Sequence, residues 1–404
     1  MTRFLLALCF FLYPFDSLPF FNVGVYRPIW LLPASISVLF FVRRYVDKHL
    51  IFYFLFLLYG YVLSLITVGF DFATLAIILL SFLSVYAFFY FFKNEAALFG
   101  VECFYNYKLP RYVMVGSLAP TAIGAMYIVS PSLGEVIEAM FSHRDYLTRM
   151  QLVSGEPSWA AKYIIIWMAA SYYLFKSKAL IVFSNSLFVV FILFTGSSLG
   201  MILAFIFFLY KYRRNALSIL LMVFSALVLA LLVSRLGLLG DYASNRVSNL
   251  YSMAAAPLEY ISQTSDRSLL IRVVSPMVGF FMFVQSLGLG FGIESSEVVY
   301  GEVLRQVFSF FSISMDYEYF MSGGVSTKNI YLKIIGEFGA VGLVGIIWIL
   351  SKAWFMKAGF GKDFVVVSLL LGLNSDGYAY FPFLVSLALL FSSSTYNRGI
   401  IKRR

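Results

Sequence analysis

Charge is the scarcest ingredient of this chain: of 404 residues, only 12% are Asp, Glu, Lys or Arg. Soluble domains carry roughly a quarter, so this sequence does not describe an ordinary water-facing globule. Cysteine is nearly absent. Cys9 and Cys103 are the whole complement, which excludes a disulfide framework and a thiolate metal cluster. Histidine is as rare, with His49 and His143 alone, so no His-based metal spacing, Ser-His-Asp arrangement or cysteine nucleophile emerges, and no metal or cofactor is expected. What is present is apolar: 61% hydrophobic and 19% aromatic residues, with a mean hydropathy of +0.87. So apolar a chain cannot stay solvated and disordered.

A bilayer core takes about 20 apolar residues per helix. Windows meeting that need recur near 4–20, 27–45, 49–69, 72–92, 112–129, 159–175, 179–194, 197–210, 216–236 and 330–350, and 364–391 reads as a tight helical pair broken at Asn374-Ser375-Asp376-Gly377. The runs are continuous rather than alternating, which excludes a β-barrel. The expectation is an all-α polytopic membrane protein, a single integral-membrane domain over 1–404 with about 12 transmembrane helices. Two larger outward (periplasmic) loops are expected at about 130–158 and 237–329.

The formal net charge of +10 raises nucleic acid as a partner, but that needs a solvated basic face. The positives instead sit beside alternate spans: Arg43, Arg44 and Lys48; Lys93, Lys108 and Arg111; Lys176 and Lys178; Lys211, Arg213 and Arg214; Lys352, Lys357 and Lys362; and Arg398, Lys402, Arg403 and Arg404. With Arg3 this side holds 19 positives and 4 negatives, net +15, and leaves −5 for the remainder. The positive-inside rule then predicts that both termini are cytoplasmic. It also bears on residues 273–293, an uncharged stretch carrying Gly279, Gly288, Gly290 and Gly292. Crossing there would invert the charge rule, so an interface-lying or re-entrant segment is expected.

Polar chemistry concentrates in the two loops. In the first, Glu156-Pro157-Ser158 precedes the sixth span, with Arg149 seven residues earlier. Pro is tolerated at a helix start. Glu156 is then either a dipole partner of that helix or a carboxylate able to take a proton from a hydroxyl. Arg149 is a solvated loop charge or an anion ligand. In the second loop Arg267 and Arg272 stand just before the glycine-rich segment, as interfacial anchors or as bidentate phosphate ligands. Gly288-Leu289-Gly290-Phe291-Gly292 has no preceding strand and no following Lys-Ser/Thr, so it is not a nucleotide motif; it is a kink, or a place of close backbone approach. Lys328 and Asn329 open the tenth span. Glu337 lies about 12 Å into it at 1.5 Å per residue, where an ionisable group needs a partner or a wet cavity; Lys333, one turn back, can supply one. Lys162, near the outer end of the sixth span, is expected to snorkel. Thr195-Gly196-Ser197-Ser198 is expected to be a tight turn.

Lys328-Asn329-Ile330-Tyr331-Leu332 running into Glu337-Phe338-Gly339-Ala340-Val341-Gly342-Leu343 resembles a helix start of the O-antigen polymerase (Wzy-type) family of bacterial envelopes, and more distantly of O-antigen ligases. Arg149 through Ser158 is similar to that family's first-loop segment, and Phe194 through Ser198 to its small-residue turn. Lys328 stands where ligases carry histidine, which favours the polymerases. The resemblance implies an inner-membrane glycosyltransferase joining polyprenyl-diphosphate-linked oligosaccharides at the periplasmic face. It implies Arg272 and Glu156 as catalytic groups, and Arg149, Arg267, Lys328, Asn329 and Glu337 as diphosphate or sugar ligands. Expected partners are the lipid-linked oligosaccharide, the bilayer and a chain-length regulator, with no nucleic acid. Ligation of polymer to lipid A core, or a flippase, are the alternatives. Transporters place polar sites near the midplane in related repeats, and no repeat is visible here.

Overall fold

The computed structural model describes residues 2–15, 29–40, 47–130, 132–134, 136, 150, 152, 154, 157–212, 256–263, 267–321, 327–375, 377, 378 and 380–401, and for 128, 198, 267–269, 297 and 394–401 the backbone alone. Among these residues the fold is all-helical, with no strand. The helices are α1 (Thr2–Leu12), α2 (Leu31–Ser37), α3 (Lys48–Thr67), α4 (Phe72–Phe99), α5 (Leu109–Val115), α6 (Leu118–Val129), α7 (Pro157–Leu174), α8 (Lys178–Phe194), α9 (Ser198–Tyr212), α10 (Pro257–Gln263), α11 (Arg267–Gln285), α12 (Ser296–Phe311), α13 (Tyr317–Met321), α14 (Ile330–Trp354), α15 (Phe360–Gly372) and α16 (Phe381–Ile401).

Three of them, α3, α4 and α14, are long and apolar enough to cross a membrane, which is compatible with a membrane protein. Their exposed faces match that reading. On α3 only Leu50, Leu57, Gly60 and Ser64 are buried, while Ile51, Phe52, Leu55, Leu58, Val62 and Ile66 lie open. A one-sided buried stripe on an otherwise apolar helix suits a lipid-facing position.

Several expected spans are shorter than their apolar runs, and backbone chemistry supplies the reason. Helix α1 stops at Leu12, before Pro14, because the residue preceding a proline is pushed out of the helical region. The run 112–129 is two helices, α5 and α6, parted at Gly116-Ser117, and Pro120 falls in the first turn of α6, where its missing N–H costs nothing. The break expected at 374–377 is found as the turn between α15 and α16, and Gly196 turns tightly between α8 and α9. The expected span 216–236 lies outside the described residues.

Three helices form the interior, α4, α7 and α16, the last buried from Phe381 to Ser392. Along α7 every residue from Ala160 to Ser171 is buried, and along α4 every residue from Ser84 to Phe92; a helix apolar on all sides is one surrounded by others. Between them sits an aromatic knot around Phe381, at the head of α16. Its ring stacks on Tyr13 at 4.6 Å and meets Trp30 edge-on at 4.8 Å, Phe10 at 5.3 Å and Phe88 at 5.7 Å. Edge-to-face and offset pairs add to simple burial. The buried Trp167 indole N–H donates to the Tyr13 hydroxyl.

The second loop has a hydrophobic core of its own, which its polar outer face conceals in the sequence. Leu270, Val274, Val278 and Met282 recur every fourth residue on α11. They meet Tyr300, Val303, Leu304, Val307 and Phe308 of α12, with Ile261 of α10 and Phe320 of α13 closing the cluster. Glu302, Arg305 and Gln306 occupy the opposite, exposed face of α12.

Replacing Phe381 by Ala removes the centre of the aromatic knot and is expected to cost about 3–5 kcal/mol. The measurement is the thermal midpoint of the purified protein in detergent. Phe183→Ala, on an exposed side chain, should leave the midpoint nearly unchanged.

Candidate functional site

The site is built on a broken helix. Within α14, Gly339 takes φ 60° and ψ −140°, a region open only to glycine. A break in a buried helix frees backbone groups that must find partners. The glycine segment of the second loop supplies them. Phe291 N–H donates to Gly336 C=O at 3.2 Å, Gly292 N–H to Glu337 C=O at 2.8 Å, and Ala340 N–H to Gly288 C=O at 2.7 Å. On its other side the segment is held by α3. Ile293 N–H donates to Gly60 C=O at 3.0 Å, the Tyr59 hydroxyl to Leu289 C=O at 2.9 Å, and the Thr67 hydroxyl to Phe291 C=O. A Cβ on Gly292 would lie 2.1 Å from Ser64 N, and one on Gly290 2.4 Å from the Glu337 carbonyl oxygen. The close backbone approach foreseen for these glycines is therefore an approach to other backbone.

Helix α11 leads into this segment alongside the first half of α14. Gly279 packs on Leu332, and further along Gly290 packs on Glu337, so the two helices run in the same direction. The uncharged stretch 273–293 is thus a helix followed by a loop that stops at the break.

A polar cluster lies against the break. Glu337 is fully buried, and its carboxylate accepts from Glu294 N–H at 3.0 Å, from Ser296 N–H at 3.3 Å and from the Tyr378 hydroxyl. Glu294 and Ser296 flank the N-cap of α12, whose Ser295 makes no side-chain cap. Glu337 therefore caps α12 from another helix, placing a negative charge where the helix dipole favours it. Lys333 is near it, at 3.9 Å from Oε1, as the i,i+4 spacing suggested, and it also pairs with Glu294, 2.7 Å from Nζ to Oε2. Lys333 Nζ also lies 4.9 Å from the centre of the Tyr378 ring.

Asn329 is the N-cap of α14. Its Oδ1 accepts from Tyr331 N–H at 3.0 Å and Leu332 N–H at 3.1 Å, and its Nδ2 donates to Leu373 C=O at 3.1 Å. Lys328 precedes it with φ +51°. Lys162, expected to reach for an interface, is buried instead. Its ammonium donates to Asn374 C=O and, at 3.1 Å, to the Ser375 hydroxyl, with the Trp159 ring 4.5 Å away. One turn, 373–380, thus joins the start of α7, where the first loop returns, to the start of α14, where the second loop returns. The starts of α7 and α14 therefore lie at the same end of the bundle.

Arg272 is half-buried on α11, seven residues before Gly279, hence about 10 Å along the axis from the level of Leu332. Arg267 opens the same helix, and its side chain is outside the described part. Arg149 and Glu156 also lie outside the described residues. Pro157 begins α7, as its tolerance at a helix start requires. The structure thus brings Glu337, Lys333 and the glycine segment together and puts Asn329 and Lys328 at the head of the same helix. Sequence reasoning missed Glu294 and Tyr378, whose partners are 39 and 41 residues away. No group of three or more His, Cys, Asp or Glu able to hold a metal occurs among the described residues.

Compared with known proteins, the chain matches no family model and no curated protein.

The interlock makes two variants informative. Gly339→Ala places a Cβ 2.1 Å from the Gly288 carbonyl oxygen at a positive φ, and the backbone strain alone costs on the order of 1–3 kcal/mol. Glu337→Gln weakens the cap and should cost about 1–3 kcal/mol. Both are expected to lower the thermal midpoint, Gly339→Ala the more.

Proposed function

We propose that this chain is an integral-membrane glycosyltransferase that polymerises lipid-linked oligosaccharide repeat units. It transfers a growing chain from its polyprenyl diphosphate to an incoming unit at the outer face of the bacterial inner membrane. The full reading has about 12 spans, both termini in the cytoplasm, and the stretch 273–293 as an interface-lying or re-entrant segment. The observation that carries it is the packing of α11 on α14, which holds Arg272 about 10 Å along the axis from the level of Leu332, near the capped head of α14 and the Lys333–Glu337–Glu294 cluster.

The chemistry asks for little else. The donor is already activated, so no nucleotide pocket is needed. The leaving group is a diphosphate at headgroup depth, where an arginine fork meets phosphate bidentately and stabilises the charge that develops as the bond breaks. Arg267 and Arg149 complete that set, Lys328 contributes at the head of α14 that Asn329 caps, and a carboxylate takes the acceptor hydroxyl proton, with Glu156 the first loop's contender. Glu337 serves by fixing α12 rather than by touching sugar, since its oxygens are already engaged. A chain-length regulator is the protein partner this reading expects.

Deleting the chain from its host is expected to leave lipid A core bearing a single repeat unit on a polysaccharide gel. Bare core with polymer left on its carrier would mean a ligase, and repeat units trapped inside the cell a flippase. Arg272→Ala, at normal protein level, is expected to abolish the ladder; an unchanged ladder would overturn Arg272's role. Glu156→Gln should shorten or abolish the ladder if Glu156 takes the acceptor proton.

A further inference from the structure

The Lys333 cluster contains one carboxylate that is fixed and yet available, and it is not the one the sequence singled out. Side-chain exposure falls from 15% for Glu294 to 7% for Lys333 and zero for Glu337. Glu337 has both oxygens engaged. Glu294 has only Oε2 engaged, by Lys333 at 2.7 Å, and Oε1 makes no hydrogen bond among the described residues and is not sealed from solvent. Its backbone is doubly constrained. The N–H of Glu294 is bonded to Glu337, and its φ of +58° puts a non-glycine residue in the left-handed region, where strain persists only if the surroundings impose it. The glycine segment, pinned between α3 and α14, is what imposes it.

The charges facing Glu294 matter as well. Lys333 and Glu337 come from α14, the Tyr378 hydroxyl from the α15–α16 turn, and Arg272 lies further out on α11. Among the described residues two carboxylates share this one ammonium, for a formal charge of −1. Lys333 orients Glu294 without cancelling the cluster's negative charge, because Glu337 stands on the other side of the same ammonium.

We propose that Glu294 is the general base of the transfer, a reading that rests on the glycosyltransferase function proposed above. The acceptor hydroxyl gives its proton to Glu294 Oε1. The oxygen's electron pair forms the new bond to the donor's anomeric carbon as the carbon–oxygen bond to the diphosphate breaks. The departing pair stays on the diphosphate oxygen, beside Arg272, and the Glu294 proton passes to water before the next cycle. Lys333 and Glu337 are positioning residues, and Glu156 is left with its helix-terminus role. General-base groups typically contribute 10²–10⁴-fold.

The test uses the full chain in nanodiscs and, as donor and acceptor, the host's own polyprenyl-diphosphate-linked repeat unit extracted from a strain lacking this chain. Elongation rate, Kd for that lipid and thermal midpoint are measured for wild type, Glu294→Gln, Glu294→Asp and Glu156→Gln. Glu294→Gln is expected to slow elongation by about 100-fold or more with Kd and midpoint unchanged, and Glu294→Asp to recover part of the loss. Elongation by Glu294→Gln within threefold of wild type overturns the proposal, and a large loss in Glu156→Gln alone moves the base to the first loop. If Glu294→Gln unfolds, the double variant Glu294→Gln/Lys333→Met, which leaves no buried ammonium unpaired, decides: wild-type elongation by it overturns the proposal, and a 100-fold loss with normal Kd supports it. A wild-type protein that binds the lipid but never elongates it overturns the polymerase reading itself.

Discussion

Everything around the Lys333–Glu337 cluster depends on how one helix survives being broken. Gly339 interrupts α14, and the carbonyls and amide released there are taken up by the Gly288–Gly292 backbone rather than by water. In an apolar surrounding each unpaired group would cost several kcal/mol, so the break and the loop are stable only together. That requirement places the loop, the loop places Glu294 and Ser295, and these set the start of α12 against Glu337. Side-chain chemistry is thereby positioned by main-chain bookkeeping.

The same logic separates rigid from adjustable parts. The knot around Phe381 and the buried runs of α4 and α7 make a body in which aromatic faces are locked on several sides. The cap of α10–α13 has its own core and meets that body chiefly through the α11–α14 packing and the glycine segment. The turn 373–380 ties the heads of α7 and α14 to one another through Lys162 and Asn329. The two loops are thus mechanically linked at their roots, although far apart in sequence.

Much of the fold was legible because continuous apolar runs have few ways to satisfy their backbone. The helices at 48–67, 72–99, 157–174, 178–194, 198–212 and 330–354 fall close to the predicted runs, and the break at 374–377 was readable from Asn-Ser-Asp-Gly. The subdivision of 112–129 is not expected from its continuous apolar run, although Gly116 and Pro120 signal it. At the site, the Lys333–Glu337 pair followed from i,i+4 spacing, while Glu294 and Tyr378 did not, because nothing local marks a partner some forty residues away. Asn329 was read as a ligand, and its position before an apolar run equally marks the helix cap it proves to be. Lys162 illustrates the converse error: a lysine near a helix end normally extends outward, but the turn beside it offers a carbonyl and a hydroxyl at closer range.

The clasp between α3 and the glycine segment joins residues 230 positions apart, as between Tyr59 and Leu289. During synthesis α3 leaves the ribosome long before the loop that grips it, and α14 emerges later still. The Tyr59 and Thr67 hydroxyls therefore have no carbonyl of that segment to meet until residues 289–291 have been made. A chain truncated between the glycine segment and α14 would keep the hydroxyls of α3 and their carbonyl partners and lose the bonds to Gly336, Glu337 and Ala340 that complete the joint.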